Sequence, residues 1–348
     1  MMDVVADKPR RPRARSTAIR ETKSRYETAE LDLKAYLPKE VSQVGGDHQT
    51  ALPRIARDPK LTSLIDQALQ RIPTTHDLYQ QDSREGGFLR PASVHLVLTS
   101  PPYWTLKEYR RGTGQMGFIR DYEKFLDELD RVWKHCYDAL VPGGRLAIVV
   151  GDVCLSRRKN NGRHTVVPLH ASIQERCRKL GFDNVQGIFW QKIANAAYEV
   201  ENGSGFLGKP YEPNAVIKND VEYILMQRKP GGYRNPSVAS RVMSVISSEN
   251  YQKWFRLAWE GLTGASTREH PAPYPAELAE RLIRMFSFVG DTVLDPFMGT
   301  GTTSVAAARC GRNSIGIEVD THYFEMALER IERDTTNLFS HVTITDHR

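Results

Sequence analysis

The stretch "TVLDPFMGTGTTSVAAARCGRNSIGIEVD", residues 292–320, has the order strand, glycine-rich turn, helix, strand. Its first apolar run ends at Asp295, and its second ends at Glu318. This order predicts a βαβ unit whose two strands lie parallel in one sheet. Gly299 and Gly301 allow the backbone to approach a ligand closely, and Glu318 is placed to accept hydrogen bonds from ribose hydroxyls. We therefore expect this unit to bind an adenosine-containing ligand.

The composition of the glycine turn disfavours a dinucleotide. "GTGTTS", residues 299–304, lacks the third glycine that lets helix and strand pack closely beneath a pyrophosphate. Asp295 comes just before the turn, where it would repel a phosphate and suits a cationic or amine-bearing ligand better. Taken alone, the two glycines could also form a tight turn that binds no ligand. The flanking Asp295 and Glu318 argue against this alternative.

A second motif, "TSPPYW" at residues 99–104, ends another apolar run. "SVHLVLT" (93–99) is typical of a buried strand. In an open parallel sheet, ligands bind beyond the carboxyl ends of the strands, so this motif and the glycine turn can face one crevice. The two prolines fix φ and carry no N–H, which makes the turn rigid and leaves its carbonyl groups free to accept hydrogen bonds. Tyr103 and Trp104 offer flat faces on which a planar ring can stack.

The remaining periodicity predicts an α/β fold. Apolar residues recur at helical spacing from Tyr122 to Leu140, "PGG" (142–144) is expected to end that helix, and "RLAIVVGDV" (145–153) is the next expected strand. Further elements are expected as a helix at 168–180, strands at 184–192 and 221–229 that form an antiparallel edge, and helices at 273–287 and 322–334. The sequence therefore predicts a mostly parallel sheet with an antiparallel edge hairpin.

The composition argues against several classes of protein. The 348 residues contain no window near the roughly 18 consecutive apolar residues of a membrane span, and the N-terminal stretch has no apolar segment typical of a secretory signal. The four cysteines, at 136, 154, 177 and 310, form no CxxC pair, so neither a metal site nor a disulfide framework is expected. We expect a cytoplasmic protein without a membrane partner.

Two basic stretches predict contact with an anionic partner. The formal net charge is +6, which favours such a partner without identifying it. Between Lys8 and Arg20 there are many basic side chains and no acidic one, and "SRRKNNGRH" (156–164) is a second basic stretch. Both can lie along a phosphate backbone; the alternatives are a solvated tail and an ordinary surface loop. We expect residues 1–45 to form a basic, flexible arm.

Together, the two motifs resemble those of the S-adenosylmethionine-dependent DNA amino-methyltransferases, which modify N4 of cytosine or N6 of adenine. "TSPPYW" is similar to the family's catalytic motif, (Asp/Asn/Ser)-Pro-Pro-(Tyr/Phe/Trp), and "DPFMGTGTT" (295–303) is similar to its cofactor loop. Because the catalytic motif comes first, the order resembles the circularly permuted group called the β class. The resemblance covers most of residues 75–335 and implies a Rossmann-like methyltransferase fold with S-adenosyl-L-methionine as cofactor.

The resemblance also implies a role for individual residues. The catalytic residues would be Ser100, Pro101, Pro102 and Tyr103, and the cofactor-binding residues would be Asp82, Asp295, Pro296, Phe297, Gly299, Gly301, Thr302, Thr303 and Glu318. The Ser100 hydroxyl and the Pro101 carbonyl would accept hydrogen bonds from the target amine, and Tyr103 would stack on the base. Asp82 would contact the cofactor adenine, although the family commonly has glycine where this chain has Gln81.

The same resemblance divides the chain after the arm. Residues 46–194 would be the catalytic half of the methyltransferase domain, and residues 269–348 would be the cofactor-binding half. Residues 195–268, which include part of the antiparallel edge, would be a target-recognition insertion.

Double-stranded DNA is the expected substrate, with the target base flipped out of the stack. In the family that the motifs resemble, serine at the first motif position favours N4 of cytosine, while N6 of adenine stays open. An RNA or protein methyltransferase and a non-catalytic DNA-binding protein are the further alternatives. An enzyme that methylates carbon 5 of cytosine would be expected to carry a Pro-Cys motif, and no cysteine here follows a proline. A cognate restriction endonuclease and a homodimer are partners that the resemblance leaves open, in a bacterial or archaeal cell.

Overall fold

The computed structural model has a nine-stranded sheet at its centre. It describes residues 32–105, 112, 114–192, 220–264, 274–335 and 341–348, and residues 33–348 form one unit. The strands are β1 (Thr74–Tyr79), β2 (Val94–Thr99), β3 (Leu140–Val150), β4 (Val153–Leu155), β5 (Thr165–Val167), β6 (Asp183–Gln191), β7 (Val221–Arg228), β8 (Ala258–Trp259), β9 (Thr292–Asp295), β10 (Asn313–Ile317) and β11 (Val342–His347). β4 and β5 form a separate two-stranded hairpin.

The strand order in the sheet is β11-β1-β10-β9-β2-β3-β7-β6-β8. From β11 to β3 all neighbours are parallel. β7 is antiparallel to both β3 and β6, and β8 is parallel to β6. The predicted mostly parallel sheet with an antiparallel hairpin is confirmed, and the short strand β8 lies outside that hairpin.

Helices cover both faces of the sheet. They are α1 (Lys39–Ser42), α2 (His48–Arg57), α3 (Pro59–Leu69), α4 (Tyr122–Ala139), α5 (Leu169–Lys179), α6 (Val238–Met243), α7 (Ser248–Trp254), α8 (Ala276–Phe286), α9 (Thr302–Arg309) and α10 (Thr321–Thr335). α4 and α5 bury Trp133 and Ile173 in one apolar cluster, while α8 and α9 bury Leu282 and Ala306 in another. Among the described residues, no helix is long and apolar enough to cross a membrane.

The predicted boundary between α4 and the following strand is wrong. α4 ends at Ala139, and β3 begins at Leu140, so that "PGG" (142–144) lies inside the strand. Pairing with β2 shifts between Leu140 and Arg145, which makes the three residues an irregularity of the strand. Gly143 has φ +79°, a conformation open to glycine, and its N–H donates to the Lys229 carbonyl at 3.0 Å. Proline and glycine therefore mark a bulge here and not the end of the helix.

The folded unit begins earlier than the sequence predicts. Leu33 and Val41 are buried with Ile55 and Met243 in one apolar cluster. Residues 33–45, assigned above to the arm, therefore belong to the folded unit. The turn and the helix in this stretch have four residues each, too few for a helical period to be visible in the sequence. The basic run of the predicted arm lies outside the described residues.

The predicted insertion is described in part, since residues 195–219 and 265–268 lie outside the described residues. Its remaining part contains β7, α6, α7 and β8. Trp254 and Trp259, isolated aromatics in the sequence, are buried and pack with α8. The Trp259 indole N–H donates to the Trp254 carbonyl at 2.8 Å. Both tryptophans therefore belong to the core, whereas Phe255 is largely exposed.

Candidate active site

The carboxyl ends of β1, β10, β9 and β2, four neighbouring parallel strands, open into one cleft. It is lined by Gln81, Asp82, Ser83, Ser100, Pro102, Gly114, Gln115, Met116, Pro296, Phe297, Ile317, Glu318, Val319 and Tyr323. The structure therefore brings Ser100 and Pro102 of the "TSPPYW" motif to one crevice with Pro296 and Phe297, which precede the glycine turn.

A buried carboxylate joins the ends of β2 and β9. Thr99 Oγ1 donates to Asp295 Oδ1 at 2.7 Å, and the Phe297 N–H donates to the same oxygen at 3.1 Å. Thr303 Oγ1 and the Tyr274 hydroxyl donate to Asp295 Oδ2 at 2.5 and 3.1 Å. We call Thr99, Tyr274, Asp295 and Thr303 the Asp295 cluster. It fixes the end of β2 relative to the start of α9, the helix that follows the glycine turn.

Asp295 does not line the cleft, in contrast to the ligand contact expected from the sequence. Its side chain is buried, and its oxygens accept hydrogen bonds from the chain itself. Burial raises the pKa of Asp295, against the hydrogen bonds from Thr303 and Thr99, which lower it. The period of an apolar strand does not determine where its last side chain points. In this structure the Asp295 carboxylate therefore binds its neighbours in the chain, and its contact with a ligand stays a prediction.

The glycine turn uses its two left-handed residues for different purposes. Gly299 has φ +53° and donates its N–H to Glu318 Oε2 at 2.9 Å. Gly301 has φ +78°, and a Cβ added there would lie 3.1 Å from Ile331 and 3.2 Å from Ala327. Gly301 therefore lets the turn pack against α10, and the close approach of a ligand to its backbone stays a prediction.

Glu318 lies just after β10 and lines the cleft. Its second oxygen, Oε1, accepts the Asp320 N–H at 2.9 Å. Burial raises the pKa of Glu318 to about 7, although the two backbone hydrogen bonds favour the ionised form. Each carboxylate oxygen has a further lone pair. The predicted acceptor role toward a ribose is therefore compatible with the contacts that Glu318 already makes.

Asp82 lies at the part of the cleft next to β1. Arg84 binds both of its oxygens, with Nε at 2.9 Å from Oδ1 and Nη2 at 2.5 Å from Oδ2. Arg84 also donates to Glu128 Oε2 at 2.7 Å. Burial acts to raise the pKa of Asp82, but the hydrogen bonds and the charge of Arg84 outweigh it, so the pKa is lowered. The sequence did not predict the contacts of Arg84 and Glu128 at this site. α4, which carries Glu128, contacts the turn after β1 only in the folded chain.

The lining of the cleft fits S-adenosyl-L-methionine. Flat apolar walls come from Pro296 and Phe297, and Ile317 and Val319 add aliphatic surface. The walls suit an adenine ring and an aliphatic chain. Two carboxylates, with no basic side chain among the described lining residues, suit hydroxyl, amine and sulfonium groups and disfavour phosphates.

The catalytic motif is divided between the cleft and the core. Ser100 and Pro102 line the cleft, whereas Pro101 and Tyr103 are buried. The Tyr103 ring is only 5% exposed and packs in the apolar cluster of α4 and α5. Its face is therefore not open to a base in this structure, and the predicted stacking requires the ring to move.

Arg330 on α10 is a further residue that the sequence analysis missed. Its Nη1 donates to the Thr300 carbonyl at 3.2 Å and to Thr302 Oγ1 at 3.0 Å. Thr302 and Thr303 are themselves buried. The threonines therefore tie the glycine turn to α10 and to the Asp295 cluster. A helical arginine has no sequence signal that distinguishes it from a solvated one.

Comparison with known proteins decides the family. The family model described as DNA methylase, of the N6 and N4 type, matches residues 94–329. The chain belongs to this DNA methylase family. It is a DNA amino-methyltransferase with S-adenosyl-L-methionine as cofactor, as the motifs predicted.

Solved and curated relatives of this methylase span most of its length. TTHA0409 of Thermus thermophilus, solved in complex with S-adenosyl-L-methionine, is 50% identical, with a TM-score of 0.64, and the match covers 78% of this chain and 99% of that chain. The Type II methyltransferase M.MjaI of Methanocaldococcus jannaschii is 38% identical over 75% of this chain and 92% of the relative. The Type II methyltransferase M.MthZI of Methanothermobacter thermautotrophicus is 34% identical over 79% of this chain and 82% of the relative.

Two glycine substitutions test whether this methylase needs the packing of its glycine turn. Gly301→Ala places a methyl group against Ile331 and Ala327, whereas Gly290, with φ +85°, has no heavy atom within 4 Å of an added Cβ. Both changes cost about 1–2 kcal/mol of stability through the left-handed conformation. Only Gly301→Ala is expected to weaken S-adenosyl-L-methionine binding, by roughly tenfold or more in calorimetry. Equal cofactor affinity in the two variants would contradict this role of Gly301.

Proposed function

We propose that this methyltransferase transfers a methyl group from S-adenosyl-L-methionine to N4 of a cytosine that is flipped out of double-stranded DNA. One observation carries the proposal: Ser100 lines the same cleft as Glu318 and Phe297. An acceptor for the target amine and the residues suited to the cofactor therefore share one site. N6 of adenine is the alternative product.

Methyl transfer requires that the chain position a weak nucleophile, the exocyclic amine of the target base. The lone pair of an exocyclic amine is delocalised into its ring, and two acceptors aimed at its N–H bonds favour a more pyramidal nitrogen. The Ser100 hydroxyl and the Pro101 carbonyl are the proposed acceptors. The bound cofactor supplies a methyl group on a positively charged sulfur. The rate enhancement then depends on alignment more than on a strong base.

The proposed cofactor contacts divide into two groups. Asp82, Pro296, Phe297 and Glu318 line the cleft and would contact the cofactor directly. Gly299 would contribute through Glu318, to which it donates. Gly301, Asp295, Thr302 and Thr303 would act by holding the turn in place, as their buried contacts support.

The choice of base is proposed from Ser100. In the family that the motif resembles, serine at this position favours cytosine, and aspartate or asparagine favours adenine. A hydroxyl offers an acceptor without a negative charge, which suits an amine that needs alignment only. The experiment is to methylate DNA with the purified protein, digest the DNA to nucleosides and identify the product by mass. N4-methyl-2′-deoxycytidine supports the proposal, and N6-methyl-2′-deoxyadenosine or unmodified DNA contradicts it.

A basic hairpin next to the cleft is proposed to contact the DNA backbone. β4 and β5 follow β3 directly, so the hairpin leaves the sheet at the edge where the cleft opens. Arg157 and Arg158 at its tip are exposed. Guanidinium groups at this place can neutralise phosphates on either side of a flipped base.

Several finer predictions belong to the same proposal. Residues 195–268 would read base edges, and the basic run between Lys8 and Arg20 would lie along phosphates. Relatives named Type II methyltransferases support a cognate restriction endonuclease as a partner. A homodimer and a cytoplasmic location stay predictions from the sequence.

Ser100→Ala tests the acceptor role. The variant is expected to lose a factor of about 10² to 10³ in single-turnover methyl transfer, because one preorganised hydrogen-bonding group is removed. Cofactor affinity should be unchanged, since cofactor contacts lie on other residues. Rates are measured on a pre-formed complex of enzyme, cofactor and DNA. A near-wild-type rate would show that Ser100 only ends the strand.

A pair of charge changes tests the hairpin. Neutralising Arg157 and Arg158 to glutamine should reduce the slope of log affinity for DNA against log salt by about 2, since each phosphate contact contributes about 1. The matched control neutralises Arg178 and Lys179, two exposed residues in the last turn of α5. This turn lies at the amino end of β6, away from the carboxyl ends of the strands where the cleft opens. Equal slopes for the two pairs would exclude a specific role of the hairpin.

A further inference from the structure

A chain of polar contacts leads from the catalytic serine away from the cleft. Ser100 Oγ lies 3.3 Å from the Tyr103 hydroxyl. The same hydroxyl lies 3.3 Å from the Val149 carbonyl and 3.4 Å from Glu222 Oε2. The other oxygen of Glu222 accepts from Lys192 Nζ at 2.9 Å. Ser100 is therefore connected through Tyr103 to an ion pair between two further strands.

Glu222 lies close to Tyr103 because β7 is antiparallel to both of its neighbours in the sheet. Glu222 lies at the start of β7, which is next to the carboxyl end of β3. A Cβ added at Gly151, just after β3, would lie 3.3 Å from the Tyr103 ring and 3.5 Å from Glu222 Cγ. The ring and the carboxylate therefore pack around a position without a side chain. Lys192, directly after β6, donates to the other oxygen of the carboxylate.

The chemistry of these groups gives the contacts a direction. A carboxylate and a carbonyl accept hydrogen bonds and cannot donate them. The Tyr103 hydroxyl has one proton, which it donates toward Glu222 or Val149. Its oxygen then accepts the proton of Ser100. With that proton directed at Tyr103, the lone pairs of Ser100 Oγ are available to accept an N–H bond from the cleft.

We propose that Glu222 is a positioning residue that acts through Tyr103 and keeps the Ser100 hydroxyl in its acceptor orientation. The inference rests on the proposed function of Ser100 as acceptor for the target amine. It gives Tyr103 a role that agrees with its burial, since the hydroxyl and not the ring face does the work. Lys192 supports this arrangement by holding Glu222 in an ion pair.

Glu222→Gln tests the orientation, because the amide keeps the size of the side chain and adds N–H donors. An amide that donates to Tyr103 competes with Ser100 for the tyrosine oxygen. Single-turnover methyl transfer is expected to fall on the order of tenfold, the effect of one hydrogen bond to a charged group. Affinity for S-adenosyl-L-methionine and for DNA should stay within about twofold of wild type.

The decisive comparison combines Glu222→Gln with Tyr103→Phe. If Glu222 acts through the tyrosine hydroxyl, its substitution changes the rate by less than about twofold once that hydroxyl is absent. The control is Glu280→Gln on α8, where Arg309 Nη1 lies 3.3 Å from the glutamate, away from the cleft. This control should leave the rate unchanged in both backgrounds.

Each result separates the inference from the proposed function. Equal losses from Glu222→Gln in the wild-type and Tyr103→Phe backgrounds would overturn the inference, as would a loss explained by weaker cofactor binding. Thermal unfolding of each variant identifies a loss of folded protein, and rates are then compared per folded and cofactor-bound enzyme. Failure of the proposed function appears earlier, as a normal rate for Ser100→Ala or as a product other than N4-methylcytosine.

Discussion

The Asp295 carboxylate is the constraint on which both halves of the site depend. A buried carboxylate needs hydrogen-bond donors. An unsatisfied buried polar group costs on the order of 1–3 kcal/mol of stability when it is neutral, and more when it is charged. Two of the donors here are Thr99, at the end of β2, and Thr303, in α9 after the glycine turn. The bond between Thr99 and Asp295 joins residues 196 positions apart in the sequence. Satisfying one carboxylate therefore aligns the two motifs.

This constraint also explains why the order of motifs along the chain is of little consequence. β2 and β9 are direct neighbours in the sheet, with Leu96 opposite Val293 and Val97 opposite Leu294. Contact between the two motifs passes across the sheet and not along the chain. The catalytic motif can thus precede the cofactor loop, since a parallel sheet places the carboxyl ends of its strands at one edge whatever their order.

The sequence predicted the features that depend on period and spacing. Alternation of strand, turn and helix between residues 292 and 320 was enough for the parallel sheet and for the cleft beyond the strands. Side-chain direction at strand ends was beyond this reasoning, since it depends on which partners the fold supplies. Asp295 points inward, where hydroxyl donors lie, and Tyr103 is buried near Glu222.

Other elements were missed because their sequences carry weak signals. β1 contains a histidine and an aspartate, and β11 at the C-terminal end of the chain is mostly polar, so neither has the apolar run of a central strand. The turn at Leu33 and the helix around Val41 are short, and only burial shows that they belong to the folded unit. Arg84 and Arg330 contribute through contacts between distant segments, which no local pattern records.

The most direct test of the central claim measures cofactor affinity and single-turnover methyl transfer in Thr99→Val. This change keeps the shape of the side chain and removes its hydrogen bond to Asp295. Methyl transfer is expected to fall by roughly tenfold or more, because Ser100 follows Thr99 directly and loses its alignment. Cofactor affinity should change less than about threefold, since Thr303 and Tyr274 still bind Asp295. A wild-type rate of transfer in Thr99→Val would contradict the claim that this carboxylate aligns the site.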